Sequence, residues 1–238
     1  MILEEILKNI NYNYPLKEVK IGLHWTAVVS KYCGLASTMI KEYCNDDEII
    51  VDDKTIEEIA QWALSENITK ASVGLAAINS LIDVDKSKCM EINASEIIIE
   101  KGKDKNISVI GHFPFVNELK NTAENLWIME KCPQTDDFPQ QDAQKYLPVS
   151  DVIAISGTTL VNHTLERLLS MCSPRSIKIL LGATTPFDPV LFDFGIDYIS
   201  GCIVIDSEIV LKIISQGANF RQIKNTGKVK LLTMAKSG

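Results

Sequence analysis

The chain has 238 residues, 46% of them apolar, which is enough for one large domain or for two small domains that each bury a core. Lysine and arginine together number 24 against 31 acidic residues, and the net charge is −7, so no nucleic-acid partner is expected. No apolar run approaches the ~20 residues that span a bilayer, and the acidic start MILEEILKNI is unlike a signal peptide. These features predict a globular, cytoplasmic protein with no membrane partner.

The cysteines are scattered along the chain without a C-x-x-C pair. This spacing argues against both a zinc cage and a disulfide framework. We expect most of the thiols to be reduced and buried, where they behave as small apolar groups. The six residues are Cys33, Cys44, Cys89, Cys132, Cys172 and Cys202.

The first elements are a short helix and a hairpin. Residues 3–10, LEEILKNI, have apolar residues at helical spacing, and Pro15 ends this pattern. Residues 19–32, VKIGLHWTAVVSKY, are rich in β-branched and aromatic side chains. They predict two short strands around a turn near Gly22–Trp25.

Two more helices are expected before residue 84. Thr55 and Glu58 form a capping-box pattern at the start of the helix IEEIAQWALSE. The following stretch TKASVGLAAINSLI is apolar or small nearly all round, which predicts burial on more than one face. Together these elements predict a small α+β domain over residues 1–84, and DKSKC (85–89) marks the boundary.

From Asn93 onward, predicted strands alternate with helices, which is typical of a doubly wound, mostly parallel sheet. Residues 85–238 therefore predict a second, α/β domain. Its helices are expected at 94–103, 159–171 and 206–216. The proline-containing segment 131–148 is expected to be a long loop, whose Asp136, Asp137 and Asp142 could face a binding cleft but are interpreted as solvated acids. The predicted strands are 107–111, 125–130, 151–156, 176–182, 198–205 and 229–234.

Three predicted strands end in unusual sequences, namely Gly111–Phe115, Ser156–Thr159 and Gly182–Phe187. In a parallel sheet all three fall on one edge, where open α/β sheets bind their ligands. The first lacks the small residues of a G-x-G-x-x-G fingerprint, so NAD or FAD bound in the usual way is not expected. A small-molecule site is expected between this edge and the first domain.

His112 and Glu130 are the candidate catalytic residues of this edge. An imidazole at the carboxyl end of a strand can bind a metal or move protons. Glu130 ends the next predicted strand, where doubly wound folds often place an acid against ribose hydroxyls. Alternatively, Glu130 is a strand-terminal carboxylate in solvent.

The loop Ser156–Thr159 has two interpretations. Ser156 or Thr158 can simply cap the helix that follows. The backbone amides and hydroxyls of the same loop can also hold an anionic ligand group, with Asn162 one turn further on the same face. Because Gly157 and a second threonine accompany the cap, we expect the loop to do both.

Several catalytic motifs are absent from the sequence. No G-x-x-x-x-G-K-[ST], H-E-x-x-H or G-x-S-x-G pattern occurs. Nucleotide hydrolysis by a P-loop, zincin proteolysis and serine-hydrolase chemistry are therefore disfavoured.

Five segments together resemble the family named "Putative heavy-metal chelation", formerly a domain of unknown function. They are IGLHWTAV (21–28), VGLAAINSLI (73–82), GHFPF (111–115), SGTTLVNHTLERLL (156–169) and GATTPFDPVLFDFGIDYISGCIV (182–204). The resemblance covers essentially the whole chain. It implies an N-terminal domain like that of enolase, followed by a Rossmann-like domain, with the site in the cleft between them.

The resemblance also implies which residues bind the ligand. Those of the second domain are His112, Phe113, Pro114, Ser156, Gly157, Thr158, Thr159, Asn162, Thr185 and Pro186. Those of the first domain are Trp25, Thr26 and Asn79.

The leading hypothesis is that the protein binds a small anionic or heterocyclic molecule in this cleft. The candidate cofactor or cargo is a metal ion, a metal chelate or the precursor of a chelate. Phe113 would stack on the ligand, and His112 with Glu130 would be acid/base groups or metal ligands. One alternative is a transferase that uses a nucleoside cofactor such as S-adenosylmethionine, with Glu130 on the ribose. Another is a non-catalytic metallochaperone, in which Cys33, Cys132 and His112 would come together from distant segments to bind the metal. The ligand, the metal, any reaction and a homo-oligomeric state stay open.

Overall fold

The computed structural model describes residues 1–40 and 49–236, so Cys44 lies outside the described residues. Within them, no helix has the length and apolar character needed to cross a membrane. The helices are α1 (Ile2–Asn9), α2 (Ile56–Gln61), α3 (Ile68–Leu81), α4 (Ala94–Gly102), α5 (Val116–Leu119), α6 (Ala143–Tyr146), α7 (Thr158–Val161), α8 (Leu165–Met171), α9 (Val190–Asp193), α10 (Ser207–Ile214) and α11 (Phe220–Asn225). The strands are β1 (Glu18–Ile21), β2 (Trp25–Val29), β3 (Cys33–Ser37), β4 (Cys89–Met90), β5 (Asn106–Ile110), β6 (Asn125–Glu130), β7 (Phe138–Pro139), β8 (Val152–Ser156), β9 (Ile177–Leu181), β10 (Tyr198–Val204) and β11 (Val229–Ala235).

The N-terminal part contains a three-stranded antiparallel sheet in the order β1-β2-β3. The predicted hairpin turn is confirmed, since the Gly22 N–H donates to the Trp25 carbonyl over 2.9 Å. The hairpin prediction was wrong in stopping at two strands, because β3 adds a third. The sequence CGLAS of β3 has no β-branched residue, so propensity alone does not reveal it.

Helix α3 packs against this sheet, and α2 packs against α3. The capping box is confirmed, because the Thr55 hydroxyl accepts a hydrogen bond from the Glu58 N–H and the Glu58 carboxylate accepts one from the Thr55 N–H. Most of α3 is buried, which confirms the prediction of a helix covered on more than one face. The backbone of Gly34 in β3 meets α3 so closely that a Cβ there would lie 2.2 Å from the Ala76 carbonyl oxygen.

The second sheet has eight strands in the order β4-β11-β10-β9-β8-β5-β6-β7. The six strands from β10 to β7 pair in parallel, whereas β11 and β4 are antiparallel at one edge. All six predicted strands are present with their ends within one residue of the prediction. The predicted α+β unit followed by a doubly wound, mostly parallel sheet is confirmed.

Both faces of this sheet are covered, as expected for parallel strands. Ile107 and Val109 of β5 point to a core that includes α4. Ile153 and Ile155 of β8 belong to the opposite core, which also contains the side chains of α1 and α3. The N-terminal part therefore shares a continuous core with the second sheet.

Two elements differ from the sequence-based expectation. The single helix predicted over 159–171 is interrupted between α7 and α8, because His163 adopts a left-handed φ of 56°. Its Nε2 donates to the Ser65 carbonyl over 2.9 Å, which ties the break to the N-terminal part. The segment 131–148 was predicted to be a loop but contains β7 and α6, and the Tyr146 ring stacks on Trp127 with centroids 4.8 Å apart.

Candidate functional site

The candidate site lies where the order of the parallel strands reverses. From β5 the chain moves to β6 on one side, and it later returns to form β8 on the other side of β5. The loops that leave β5 and β8 start side by side, and a Cβ on Gly111 would lie 3.1 Å from the Ser156 Cβ. Such a switch point opens a crevice at the carboxyl ends of the strands.

A cleft of 850 Å³ occupies this position. Trp25, Ser37 and Met39 of the N-terminal part form one wall, and α11 contributes to another. Most of the predicted site residues line the cleft. They are Trp25, His112, Phe113, Pro114, Glu130, Ser156, Thr158, Thr159 and Asn162.

The remaining predicted residues lie outside the lining of this cleft. Thr26 is fully buried and its hydroxyl is 2.9 Å from that of Thr38. Asn79 Nδ2 donates to the Leu35 and Thr184 carbonyls over 2.8 and 3.0 Å, which joins α3 to the loop after β9. Gly157, Thr185 and Pro186 are buried behind the wall.

Thr185 and Asn79 meet at a second, smaller cavity of 150 Å³. Within the described residues, the buried Thr185 hydroxyl has no hydrogen-bond partner. A Cβ on Gly157 would lie 2.5 Å from this oxygen. Glycine is thus required at position 157 because the two loops touch, and not because a ligand approaches.

The Ser156–Thr159 loop has the hydrogen bonds of a helix start. Ser156 Oγ accepts from the Thr158 N–H over 3.3 Å and lies 2.9 Å from Thr158 Oγ1. Thr159 Oγ1 donates to the Ser156 carbonyl over 2.7 Å. The N-cap of α7 is Gly157, which has no side-chain cap, so the prediction that Ser156 or Thr158 caps this helix was wrong. Both residues line the cleft.

The carboxylate that contacts His112 belongs to Asp137. His112 Nδ1 is 3.2 Å from Asp137 Oδ2, and the Asp137 side chain is only 1% exposed. Glu130 instead accepts a hydrogen bond from the Lys131 N–H over 3.0 Å. Asp137 was interpreted from the sequence as a solvated acid of a long loop, which was wrong, because its side chain is buried beside His112.

Three cations on the cleft wall were also missed, namely Lys131, Arg221 and Lys224. Over residues 1–40 and 49–236, none of them has a carboxylate within 4 Å. The acids Glu118 and Glu130 line the same cleft. The wall therefore carries one more positive than negative side chain, in a chain whose net charge is −7.

Aromatic rings provide apolar surface on two sides. Trp25 and Phe220 contact across the cleft wall with ring centroids 5.1 Å apart and planes tilted by 44°. Phe113 stacks on Phe115 with centroids 5.2 Å apart. A planar ligand would find ring faces beside the cations.

The described thiols do not converge on His112. Cys33 lines the small second cavity together with Cys202, whereas Cys132 is exposed. In the described part of the chain, no three His, Cys, Asp or Glu side chains are close enough to share a metal ion. The residues of the cleft thus do not fit a bare ion, and a metal bound here would need donors from another molecule.

Labelling with iodoacetamide at pH 8 is expected to modify Cys132 well before Cys33 and Cys202. Burial raises the pKa of the Cys33 and Cys202 thiols to about 12, so both stay protonated at this pH, and the thiolate is the nucleophile. Peptide mapping by mass spectrometry measures the three rates separately, with denatured protein as the control. Equal rates for the three peptides in the folded protein would contradict the burial of Cys33 and the desolvation of the half-buried Cys202 thiol.

Comparisons with known proteins agree along the whole chain. Two family models, both described as "Putative heavy-metal chelation", match residues 3–82 and 93–233. An uncharacterized protein of Methanocaldococcus jannaschii is 30% identical over 237 residues, which cover 94% of this chain and 90% of that protein.

Two crystal structures show the same fold, and both are of proteins with unknown function from the DUF364 family. The one from Desulfitobacterium hafniense has a TM-score of 0.84 at 24% identity and covers 99% of this chain and 98% of that chain. The one from Pyrococcus horikoshii has a TM-score of 0.85 at 23% identity and covers 99% and 100%. With both sequence segments matched, the chain belongs to the family described as "Putative heavy-metal chelation".

Proposed function

We propose that the protein binds a small anionic or heterocyclic molecule in the 850 Å³ cleft, and that this molecule is a metal chelate or the precursor of one. The observation that carries the proposal is the cleft itself, which combines the switch point of the sheet with aromatic rings and with three cations that have no carboxylate partner among the described residues. Arg221 and Lys224 would hold the anionic groups, and Phe113 or Trp25 would contact a planar part.

The donor chemistry of the cleft supports a chelate over a bare ion. His112 and Glu130 supply a nitrogen and two oxygens, but no third metal-binding side chain accompanies them among the described residues. A metal that arrives already bound by a small molecule needs few protein ligands. The family description is consistent with such a cargo.

Three further features belong to this proposal. The chain would act as two domains, residues 1–84 and 85–238, with the ligand held between them. We place the protein in the cytoplasm. Its partner would be a small molecule, whether one copy of the chain acts alone or several copies assemble.

A second candidate function is a transferase with a nucleoside cofactor. Glu130 favours it, because this residue ends β6 next to the switch point and lines the cleft, as expected for an acid on a ribose. The hydrogen bond from the Lys131 N–H fixes one of its oxygens and leaves the other available.

The first test is native mass spectrometry with elemental analysis on protein purified without chelators or affinity metals. We expect a stoichiometric organic mass, with or without metal, because the cations that line the cleft would retain an anion. Thermal unfolding with citrate, ferric citrate, pyrophosphate and S-adenosylhomocysteine then defines the class of ligand. The proposal would be contradicted if the measured mass were that of the protein alone and none of the four compounds raised the temperature of unfolding. Saturable binding of S-adenosylhomocysteine alone, lost in Glu130→Ala, would select the transferase.

A further inference from the structure

The pairing of His112 with Asp137 gives the cleft a reactive nitrogen. We propose that His112 Nε2 is the proton acceptor of a reaction carried out on the bound anion, and that Asp137 is the residue that positions it. This inference rests on the proposed function, since its substrate is the molecule held in the cleft. It adds an activity, proton abstraction, to binding.

The tautomer of His112 follows from its partner. A carboxylate accepts hydrogen bonds, so the Nδ1 that lies 3.2 Å from Asp137 Oδ2 must carry the hydrogen. A neutral imidazole has one hydrogen, and its Nε2 therefore keeps a lone pair. Within the described residues Nε2 has no protein partner, and His112 is 37% exposed at the cleft wall.

His163 shows what a structural histidine looks like in the same chain. Its Nε2 is used for a hydrogen bond to the Ser65 carbonyl, away from the cleft lining. His112 has the opposite arrangement, with the protein on Nδ1 and the cleft beside Nε2. This is the arrangement that a general base requires.

Asp137 is held in place by several independent contacts. Its Oδ2 also accepts the Gln134 N–H over 3.0 Å, and its own N–H donates to the Gln134 carbonyl over 3.1 Å. Strand β7 begins at the next residue and pairs with β6, with Phe138 opposite Met129. Because β6 also neighbours β5, which His112 follows closely, the sheet fixes both members of the pair.

The surrounding charges suit a proton transfer. The Asp137 carboxylate accepts the Nδ1 hydrogen and so holds the orientation of the ring while Nε2 accepts a proton. The hydrogen leaves an acidic C–H, N–H or O–H bond of the substrate, whose electron pair stays on the substrate, and the imidazolium later returns the proton. The negative charge that develops on the substrate is stabilised by the cations of the cleft, Lys131, Arg221 and Lys224. The step needs no oxidant and no second reactant.

The decisive measurement is the nitrogen NMR spectrum of protein labelled with ¹⁵N-histidine. We expect the neutral His112 ring to be protonated on Nδ1 and bare on Nε2, with the signals assigned by their loss in His112→Gln. In Asp137→Ala the acceptor of the Nδ1 hydrogen is removed, and the hydrogen is expected to shift towards Nε2. Asp136→Asn is the matched control, because the adjacent Asp136 is exposed and pairs with Lys120 instead.

Carbethoxylation by diethyl pyrocarbonate measures the reactivity of the same nitrogen. Peptide mapping should show His112 modified in the native protein and in Asp136→Asn, and more slowly in Asp137→Ala, where less of the His112 Nε2 carries a free lone pair. A wild-type His112 protonated on Nε2, or equal rates in the two variants, would overturn the proposal. If Asp137→Ala does not fold, the wild-type tautomer decides alone.

Citrate titrations separate this inference from the proposed function. Asp137→Ala is expected to bind citrate within about threefold of wild type, since the anion is held by the cations. If the protein binds none of the four test compounds but its His112 Nε2 carries no hydrogen, the proposed function is contradicted. The assignment of His112 as the base then still stands. If the protein binds one of the compounds but His112 Nε2 carries a hydrogen, only the assignment of His112 as the base is contradicted.

Discussion

Replacing Gly34 by alanine is expected to destabilise the protein by about 3 kcal/mol or to prevent folding, at the upper end of the usual effect of overpacking. A Cβ at this position would lie 2.2 Å from the Ala76 carbonyl oxygen, 2.3 Å from the Ser80 nitrogen and 2.6 Å from the Asn79 carbonyl carbon. All three are backbone atoms of α3, so the strand and the helix must separate to make room. Urea unfolding followed by circular dichroism measures the change in the free energy of unfolding.

Gly102→Ala is the matched control for this effect. Its Cβ would come closest to the Cδ1 atom of Ile107, which is the end of a side chain and can rotate. We expect a loss of about 1 kcal/mol for this variant. Equal losses for the two variants would mean that β3 and α3 do not meet through their backbones at Gly34.

The double variant Arg221→Ala/Lys224→Ala is expected to weaken the binding of citrate by roughly 10- to 100-fold, because each lost contact to a charged group removes about 1 kcal/mol or more. Both side chains line the cleft and are exposed, so solvent screening moderates the effect. The difference from wild type should shrink as salt is added. Isothermal titration calorimetry at two salt concentrations measures both quantities.

Arg175→Ala/Lys212→Ala removes the same two charges away from the cleft. Arg175 lies in the turn before β9 and Lys212 lies on α10, and neither lines the cavity. If this control lost as much citrate affinity as the cleft variant, net charge and not the site would govern binding. An unchanged affinity for citrate in the cleft variant would contradict the proposal that the ligand is anionic.

The sheet was predictable because its strands have strong local signals. The six long strands are apolar, β-branched runs, and both faces of the sheet are buried. The three strand-end loops followed from topology alone, since parallel strands end on the same edge. Nothing comparable marks β3, whose CGLAS sequence forms a strand only because its small residues fit against α3.

The interruption near His163 and the contacts of Asp137 depend on tertiary structure. A left-handed residue after α7 is favourable here because His163 then reaches Ser65, almost one hundred positions earlier in the chain. Asp137 meets His112 only after β7 has paired with β6. No local spacing encodes either contact.

The cations of α11 were missed for the same reason. Arg221 and Lys224 are far in sequence from the loop that follows β5. Their pattern is typical of the solvent-exposed face of a short helix. Phe220 of this helix packs on Trp25, which places the cations beside the cleft. The capping box formed by Asn219 and Gln222 marks the helix but not its role.

The hydrogen bonds of Asn79 set a limit on how the protein admits its ligand. Asn79 joins α3 to the loop after β9, and the Thr184 hydroxyl accepts the Ser37 N–H over 3.0 Å beside it. With a shared core beneath these bonds, the N-terminal part cannot swing away from the sheet as a separate body without breaking all of them. The cleft is thus expected to keep its shape, so that a ligand that binds there would cost little free energy of reorganisation.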